Sequence, residues 1–337
     1  MFRKKLFVLK QPFMFLFSWR PFPWYELISY VAMYASVPML AYGIHIYSWE
    51  VIRTIVFTIL TLYSGFFAAL IWNDITDADV DAVVHPNRPV PRGRISPRKF
   101  FTVALVFSAM TFVFAVFISL WCLLLVGVAA LFVTFHNKYL KRVVGIPAYS
   151  EIFTPLQWVV VPIFGYLAVF SNPMFLSQKN YVQLNAPFLG PLWVNSLSLS
   201  NMILLAIFTY FTDNAHDLPE GIHDVDGDRK LGIKTYATSF GEKNAAKISF
   251  MMFIISGVLG IILFMKTILS LVFLIPFIII WTYTIHSSYL LIKTDMENIK
   301  DMGKIMGRKG FDYFLMSYNL IFIDISLQLI NHHFHII

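Results

Sequence analysis

The chain has 337 residues, of which 58% are hydrophobic and only 13% are charged. Soluble domains carry roughly 25% charged residues, so this composition excludes a water-soluble globular fold. It also excludes intrinsic disorder, and the single cysteine excludes an internal disulfide scaffold. The formal charge of +7 favours anionic lipid headgroups as neighbours and argues against nucleic acid as a partner.

Apolar segments long enough to cross a bilayer core of about 30 Å recur along the chain. Runs such as 271–281 are apolar on every face, which excludes the alternating strands of a transmembrane β-barrel. Only helices then satisfy the backbone in lipid, so the sequence predicts a single all-α polytopic membrane domain over 1–337, with about nine transmembrane helices. The predicted spans are 25–47, 51–72, 99–117, 120–137, 151–171, 193–212, 246–265, 268–292 and 311–331.

The positive charges between the spans predict the orientation. If the N-terminus is cytoplasmic, the inner segments hold 23 of the 26 Lys and Arg residues, as the positive-inside rule requires. Residues 1–22 combine cations with apolar side chains, so we expect an amphipathic basic lead-in at the membrane surface. We also expect a multi-pass protein of the plasma membrane, because no transit peptide is recognised.

The first acidic segment, 73–99, directly follows the second span. Asn73, Asp77 and Asp81 share one face of a helix if that helix continues past the apolar residues. Carboxylates placed so close together repel each other unless a cation lies between them, and oxygen ligands of this kind suit Mg²⁺ bridging a phosphorylated substrate. A Pro-rich stretch that follows presents Arg88, whose guanidinium suits phosphate. The alternative is a solvated acidic loop.

The second acidic segment, 213–244, follows the sixth span and is predicted to be a loop. Its acids fall into two groups with helical spacing, but Pro219 and Gly221 argue against one uninterrupted helix. An EF-hand calcium loop beginning at Asp224 is disfavoured, because its sixth and twelfth positions would be Arg229 and Thr235. The acids are Asp213, Asp217, Glu220, Asp224, Asp226, Asp228 and Glu242.

Four further residues are candidates for special roles. His216 and His223 lie beside acids, so each is a candidate general base or a packing residue behind the ligands. Glu151, at the start of the fifth span, is a candidate to hydrogen-bond an acceptor head group. Alternatively, it only stabilises that helix start or pairs with Lys141 or Arg142. Asp324 lies deep in the ninth span and must find an internal partner.

The two acidic segments resemble motifs of the UbiA superfamily of membrane-embedded prenyltransferases. The pattern Asn73-Asp74-x-x-Asp77-x-x-x-Asp81 and its tail at 85–96 resemble the first Asp-rich motif of that family, and 224–235 resembles the second. Weaker similarities lie at 20–21 and 139–142, so the resemblance covers roughly residues 18–330.

The sequence departs from the family pattern in two places. His223-Asp224 stands where many relatives have Lys-Asp, so the leading acid of the second motif, Asp213, Asp217 or Glu220, stays open. The segment 145–151 stands where many relatives have Gly-Asn, which leaves the acceptor class open.

The resemblance implies helices bundled around a central cavity and a Mg²⁺-dependent reaction. An isoprenyl group would pass from a polyprenyl diphosphate to a lipid or aromatic acceptor in the membrane, with release of diphosphate. The residues that the resemblance implies as catalytic are Asp77, Asp81, Asp224 and Asp228. The implied metal ligands are Asn73, Asp77, Asp81, Asp224 and Asp228, with Asp217 and Glu220 as further candidates. The implied diphosphate contacts are Arg88, Lys141, Arg229 and Lys230.

Two other functions stay open at this point. A UbiA-type terpene cyclase would act on the same donor without an acceptor, and an aromatic-rich cavity would permit it. A secondary transporter would also fit nine spans, but it predicts charged residues at the membrane midplane, whereas most of these acids lie at one membrane edge. Within the resemblance, residues 227–230 favour the subgroup of geranylgeranylglyceryl phosphate, chlorophyllide and homogentisate enzymes over 4-hydroxybenzoate enzymes.

Overall fold

The structure, a computed structural model, describes residues 22–44, 47–78, 93, 95–140, 143–172 and 181–334. The predicted lead-in 1–22 lies outside these residues except for its last member, and so do Asp81, Arg88 and Lys141. The helices are α1 (Trp24–Tyr42), α2 (Trp49–Thr76), α3 (Pro97–Val116), α4 (Leu120–Phe135), α5 (Tyr149–Phe153), α6 (Leu156–Phe170), α7 (Ser196–His223), α8 (Val225–Leu231), α9 (Tyr236–Phe240), α10 (Glu242–Lys266), α11 (Leu271–Lys293) and α12 (Ile299–Phe334).

The fold is a mostly helical membrane fold, as the hydropathy predicts. Each predicted span overlaps one of the long helices or the α5–α6 pair. Among the described residues, seven helical segments are long and apolar enough to cross a membrane; α1 and α7 are not among them, because both carry polar residues along their length. The count of nine spans and the orientation therefore stay predictions. A short antiparallel hairpin, β1 (Val182–Ala186) and β2 (Gly190–Val194), precedes α7.

Helix α7 continues through Pro219 as far as His223, contrary to the expectation of a break. Proline has no N–H to donate to the carbonyl four residues earlier, which here belongs to Ala215. The Ser249 hydroxyl on α10 donates to that carbonyl instead, at 2.7 Å. The segment 213–244, predicted as a loop, is therefore mostly helical, and Asp213 and Asp217 lie on one helix.

Glycines on α12 let this helix lie close to the acidic end of α7. A Cβ built on Gly310 would lie 2.6 Å from Cβ of His216, and one on Gly303 would lie 2.7 Å from the Pro219 carbonyl oxygen. Small residues at such contacts allow close packing in a membrane, where dispersion rather than hydrophobic burial holds helices together. The α7–α12 contact fixes the position of the acidic face of α7.

Asp324 on α12 has internal partners, as predicted. Its Oδ1 accepts hydrogen bonds from Ser270 Oγ at 2.6 Å and from Gln328 Nε2 at 2.9 Å. The carboxyl group is fully buried, and these bonds offset the cost of removing it from water. Asp324 therefore has a structural role in the helix bundle.

Candidate functional site

An apolar cavity of about 540 Å³ lies among α2, α3, α4 and α6. This volume lies within the range of small-molecule sites, roughly 300–1,000 Å³. Asn73 lines one end of the cavity, and Leu62, eleven residues earlier on α2, also lines it. At 1.5 Å per residue the two positions lie about 16 Å apart along the helix axis. Aromatic lining residues are Tyr34, Phe66, Trp72, Phe112, Trp158 and Phe164.

The first acidic motif begins at the polar end of this cavity. Helix α2 continues to Thr76, past the predicted apolar span, and the Asp77 N–H donates to the Asn73 carbonyl at 2.8 Å. Asn73 and Asp77 therefore keep the helical spacing that the sequence predicts. Asp77 is buried, as is Asp74. The third member of the motif, Asp81, lies outside the described residues.

Asp213, His216 and Asp217 on α7 form a compact group that can hold a metal ion. One ligand atom from each residue lies within 4.8 Å of the other two. His216 Nε2 lies 2.9 Å from Asp213 Oδ1, and His216 Nδ1 lies 3.6 Å from Asp217 Oδ1. Asp213 and His216 are 1% and 5% exposed. The helical spacing of i, i+3 and i+4 accounts for this convergence.

Several buried polar atoms in and beside this group lack a hydrogen-bond partner within the part of the chain that the structure describes. They include Asp213 Oδ2 and Asp217 Oδ2. A buried carboxylate oxygen without a partner is costly, so these atoms are positions where a bound cation would be stabilised. Asp217 lies past the apolar part of α7, and its burial together with the nearby Asp213 charge raises the pKa of its carboxyl. A cation at this position would relieve both effects.

The donor set fits Mg²⁺. Carboxylate oxygens are the ligands that this ion prefers, and Asp213 and Asp217 each offer an oxygen that has no hydrogen-bond partner in the part of the chain described here. His216 offers a nitrogen, which suits Mg²⁺ less well. Because it forms a 2.9 Å hydrogen bond with Asp213, we assign His216 to orientation of that carboxylate.

A layer of aromatic rings separates the acidic group from the cavity. The Trp158 ring lines the cavity, and its centroid lies 5.3 Å from that of Phe314 on α12. The Phe314 ring in turn lies 6.1 Å from the His216 ring. The Phe314 ring therefore lies between the acidic group and the wall of the apolar cavity.

The second predicted motif is split between two elements. Asp224 caps the end of α7, whereas Asp228 and Arg229 lie on α8. The Arg229 guanidinium lies 3.0 Å from Glu242 Oε1, and Lys230 is exposed. The contacts that Arg229 and Lys230 would make with a diphosphate stay predictions.

The structure adds one candidate to the predicted ligands. From the sequence, Asp213 is only one of three possible leading acids and is not a predicted ligand. In the structure it is the most deeply buried member of the group that can hold a metal ion. Its spacing to Asp217 is the sequence signal that identifies it. Glu220, a predicted ligand, is exposed, and its side chain packs over Gly307 of α12.

Comparison with known proteins identifies the family to which this sequence is similar. A family model described as the UbiA prenyltransferase family matches residues 28–302. A digeranylgeranylglyceryl phosphate synthase from Natronomonas pharaonis is 28% identical over 176 residues, which cover 51% of this chain and 52% of that protein. The chain thus matches only about half the length of this curated relative.

Two solved structures share the fold. An apo UbiA homologue from Aeropyrum pernix K1 has a TM-score of 0.62 at 16% identity, over 91% of this chain and 98% of that one. A UbiA homologue from Archaeoglobus fulgidus bound to DMAPP and Mg²⁺ has a TM-score of 0.53 at 15% identity, over 86% and 96%. With the family model matching most of its length, this chain belongs to the UbiA prenyltransferase family.

Proposed function

We propose that this protein is an integral membrane prenyltransferase that moves an isoprenyl group from a polyprenyl diphosphate to a lipid acceptor. One observation carries the proposal: Asn73 belongs both to the first acidic motif and to the wall of the apolar cavity. A ligand with a charged head and a long hydrocarbon tail is the kind of molecule that such a site accommodates. Prenyl diphosphates have this form.

The proposed reaction exchanges one bond to the prenyl carbon for another. The C–O bond between the prenyl group and the diphosphate breaks, and its electron pair leaves with the diphosphate. The hydroxyl oxygen of the acceptor forms the new bond to that carbon, and the proton of this hydroxyl is released to solvent. When bound, Mg²⁺ would neutralise the negative charge that develops on the diphosphate. Its proposed ligands are Asn73, Asp77, Asp81, Asp213, Asp217, Glu220, Asp224 and Asp228.

The residues of the chain itself supply orientation, desolvation and charge stabilisation. His216 holds the Asp213 carboxylate in place through their hydrogen bond. Trp158 and its aromatic neighbours exclude water from the allylic cation and present π faces that stabilise positive charge. Arg88, Lys141, Arg229 and Lys230 are the proposed cationic contacts of the diphosphate.

For the acceptor we propose a glycerophosphate lipid. The curated relative from Natronomonas pharaonis is named digeranylgeranylglyceryl phosphate synthase, and the Gly-Asp-Arg-Lys sequence at 227–230 favours the same subgroup. We further propose that the acidic residues face the cytoplasm from the plasma membrane, because the cations between the spans are concentrated on that side.

Diphosphate release by the purified protein in nanodiscs tests the proposal. Geranyl, farnesyl and geranylgeranyl diphosphate are supplied with Mg²⁺, with and without a geranylgeranylglyceryl phosphate acceptor. We expect release that requires Mg²⁺ and is abolished by Asp77→Ala and by Asp224→Ala. Asp226→Ala is the matched control: its side chain is 62% exposed and pairs with Lys300 at the surface, so release should persist.

The mass of the organic product decides between the candidate reactions. A mass equal to donor plus acceptor minus diphosphoric acid supports the transferase. A hydrocarbon or alcohol formed from the donor alone would show that the protein is a terpene cyclase and not a transferase. Folded protein that releases no diphosphate from any donor would overturn the proposed function.

A further inference from the structure

We propose that Glu151, on α5, supplies an additional carboxylate to the Mg²⁺ and diphosphate site, at the position left open by Gly221 of α7. This inference rests on the proposed function. Glu151 is distant in sequence from both acidic motifs, and its side chain is only 5% exposed. Helix α5 places it against the face of α7 that carries the acids.

Gly221 shows where the Glu151 carboxylate lies. A Cβ built on Gly221 would overlap Oε1 of Glu151 and would lie 3.1 Å from its Cδ. Positions 213, 217 and 221 follow one another at intervals of four, so they share one face of α7. Asp213 and Asp217 occupy the first two positions. At the third, the glycine leaves room, and the carboxylate that fills it comes from Glu151.

One oxygen of this carboxylate is held and the other is available. Oε2 accepts a hydrogen bond from the Tyr236 N–H at the start of α9, whereas Oε1 has no hydrogen-bond partner within the described residues. A buried oxygen that lacks a partner indicates a ligand. This oxygen is the one that lies over Gly221, beside the acidic face of α7.

The backbone around Glu151 fixes its position. Asn214 Nδ2, on α7, donates to the Glu151 carbonyl at 3.1 Å. The Ser150 N–H donates to the Lys234 carbonyl at 3.0 Å, which ties α5 to the segment after α8. A carboxylate held in this way is preorganised for a ligand and needs little rearrangement to bind one.

The competing role is purely structural: Glu151 would only cap the N-terminus of α9. A cap requires one oxygen to accept the Tyr236 N–H, and the amide of glutamine can serve that purpose. A metal-side carboxylate requires the charge and the second oxygen as well. Glu151→Gln therefore separates the two roles, because it keeps the cap and removes the charge.

The test measures metal binding directly. Mn²⁺ is titrated into the protein in nanodiscs with inorganic diphosphate, and bound Mn²⁺ is followed by electron paramagnetic resonance. We expect Glu151→Gln to weaken Mn²⁺ binding by about 10- to 100-fold, the range found when even an outer partner of a metal site is removed. The melting temperature of Glu151→Gln should stay near that of the wild type. Asp324→Asn, which changes a buried carboxylate of the structural cluster at Ser270, should leave Mn²⁺ affinity unchanged.

A second carboxylate introduced at position 221 gives an independent test of the same role. Gly221→Asp alone should impair binding, because the new side chain overlaps Glu151. In the double variant Glu151→Ala with Gly221→Asp, the new carboxylate occupies the vacated space, so we expect Mn²⁺ affinity to recover relative to Glu151→Ala. Recovery of affinity by a shifted carboxylate has no explanation in a capping role.

The outcomes distinguish this inference from the proposed function. Wild-type affinity in Glu151→Gln would overturn the role of Glu151 and leave the proposed function standing. A lower melting temperature with unchanged affinity in Glu151→Ala would assign it to capping alone. A wild-type protein that binds no Mn²⁺ with diphosphate would overturn both proposals.

Discussion

Replacing Leu62 by Trp, at the end of the cavity far from Asn73, is expected to select against long prenyl donors. Leu62 lines the cavity about 16 Å from Asn73 along α2. Burial of each CH₂-sized group contributes about 0.8 kcal/mol, so loss of room for one five-carbon prenyl unit costs up to about 4 kcal/mol. That energy corresponds to as much as about a thousandfold in kcat/KM.

The assay compares kcat/KM for geranyl and geranylgeranyl diphosphate. Leu62→Trp should lower the value for the longer donor by about 10- to 1,000-fold and change the shorter one little. Ala69→Phe, only four residues before Asn73, should lower both values. Leu60→Trp is the matched control, because Leu60 lies on the same helix but faces outward and does not line the cavity.

The ratio of the two kcat/KM values is the decisive quantity. If Leu62→Trp lowers kcat/KM equally for both donors, the prenyl tail does not reach Leu62. If Leu60→Trp shifts the ratio as much as Leu62→Trp, the cavity is not the tail site, and the placement of the donor along α2 is wrong.

Two further variants test the acidic group and its packing. Asp213→Asn keeps a hydrogen-bond partner for His216 but removes a charge, so we expect diphosphate release to need about 10- to 100-fold more Mg²⁺. An unchanged Mg²⁺ requirement would exclude Asp213 from the metal site. Gly310→Val forces a side chain against His216 and should destabilise the protein by about 1–3 kcal/mol in detergent. Gly127→Ala, where nothing lies within 4 Å of the added Cβ, should change stability little; equal losses in both variants would contradict the packing explanation.

The positions of the helices could be predicted from the sequence because lipid leaves the backbone no other way to satisfy its hydrogen bonds. The ends of the helices could not be predicted in this way. Helix α2 extends to Thr76 because polar residues continue a helix as readily as apolar ones once they leave the hydrocarbon. Helix α7 passes Pro219 because Ser249 donates to the carbonyl that the proline leaves free. That hydroxyl lies on another helix, so no local pattern around Pro219 reveals it.

Some residues of the candidate site could likewise be predicted from the sequence, and others could not. Asn73 with Asp77, and Asp213 with Asp217, could be found from the sequence, because each pair lies one helical turn apart. The contact between Glu151 and Gly221 depends on how α5 and α7 pack, and their separation in the sequence hides it. Sequence patterns therefore identify chemistry carried by one helix and miss chemistry shared between helices.

The acidic group also explains why α12 presents glycines to α7. Carboxylates buried side by side destabilise a protein that holds no cation, since each loses hydration and repels the others. Close packing of Gly310 against His216 keeps the imidazole beside Asp213, where it donates to one of the carboxylate oxygens. Asp213 Oδ2 and Asp217 Oδ2 have no hydrogen-bond partner among the described residues. The bundle thus holds buried carboxylate oxygens that a bound cation would satisfy, and for this reason loss of the Asp213 charge should weaken its hold on metal.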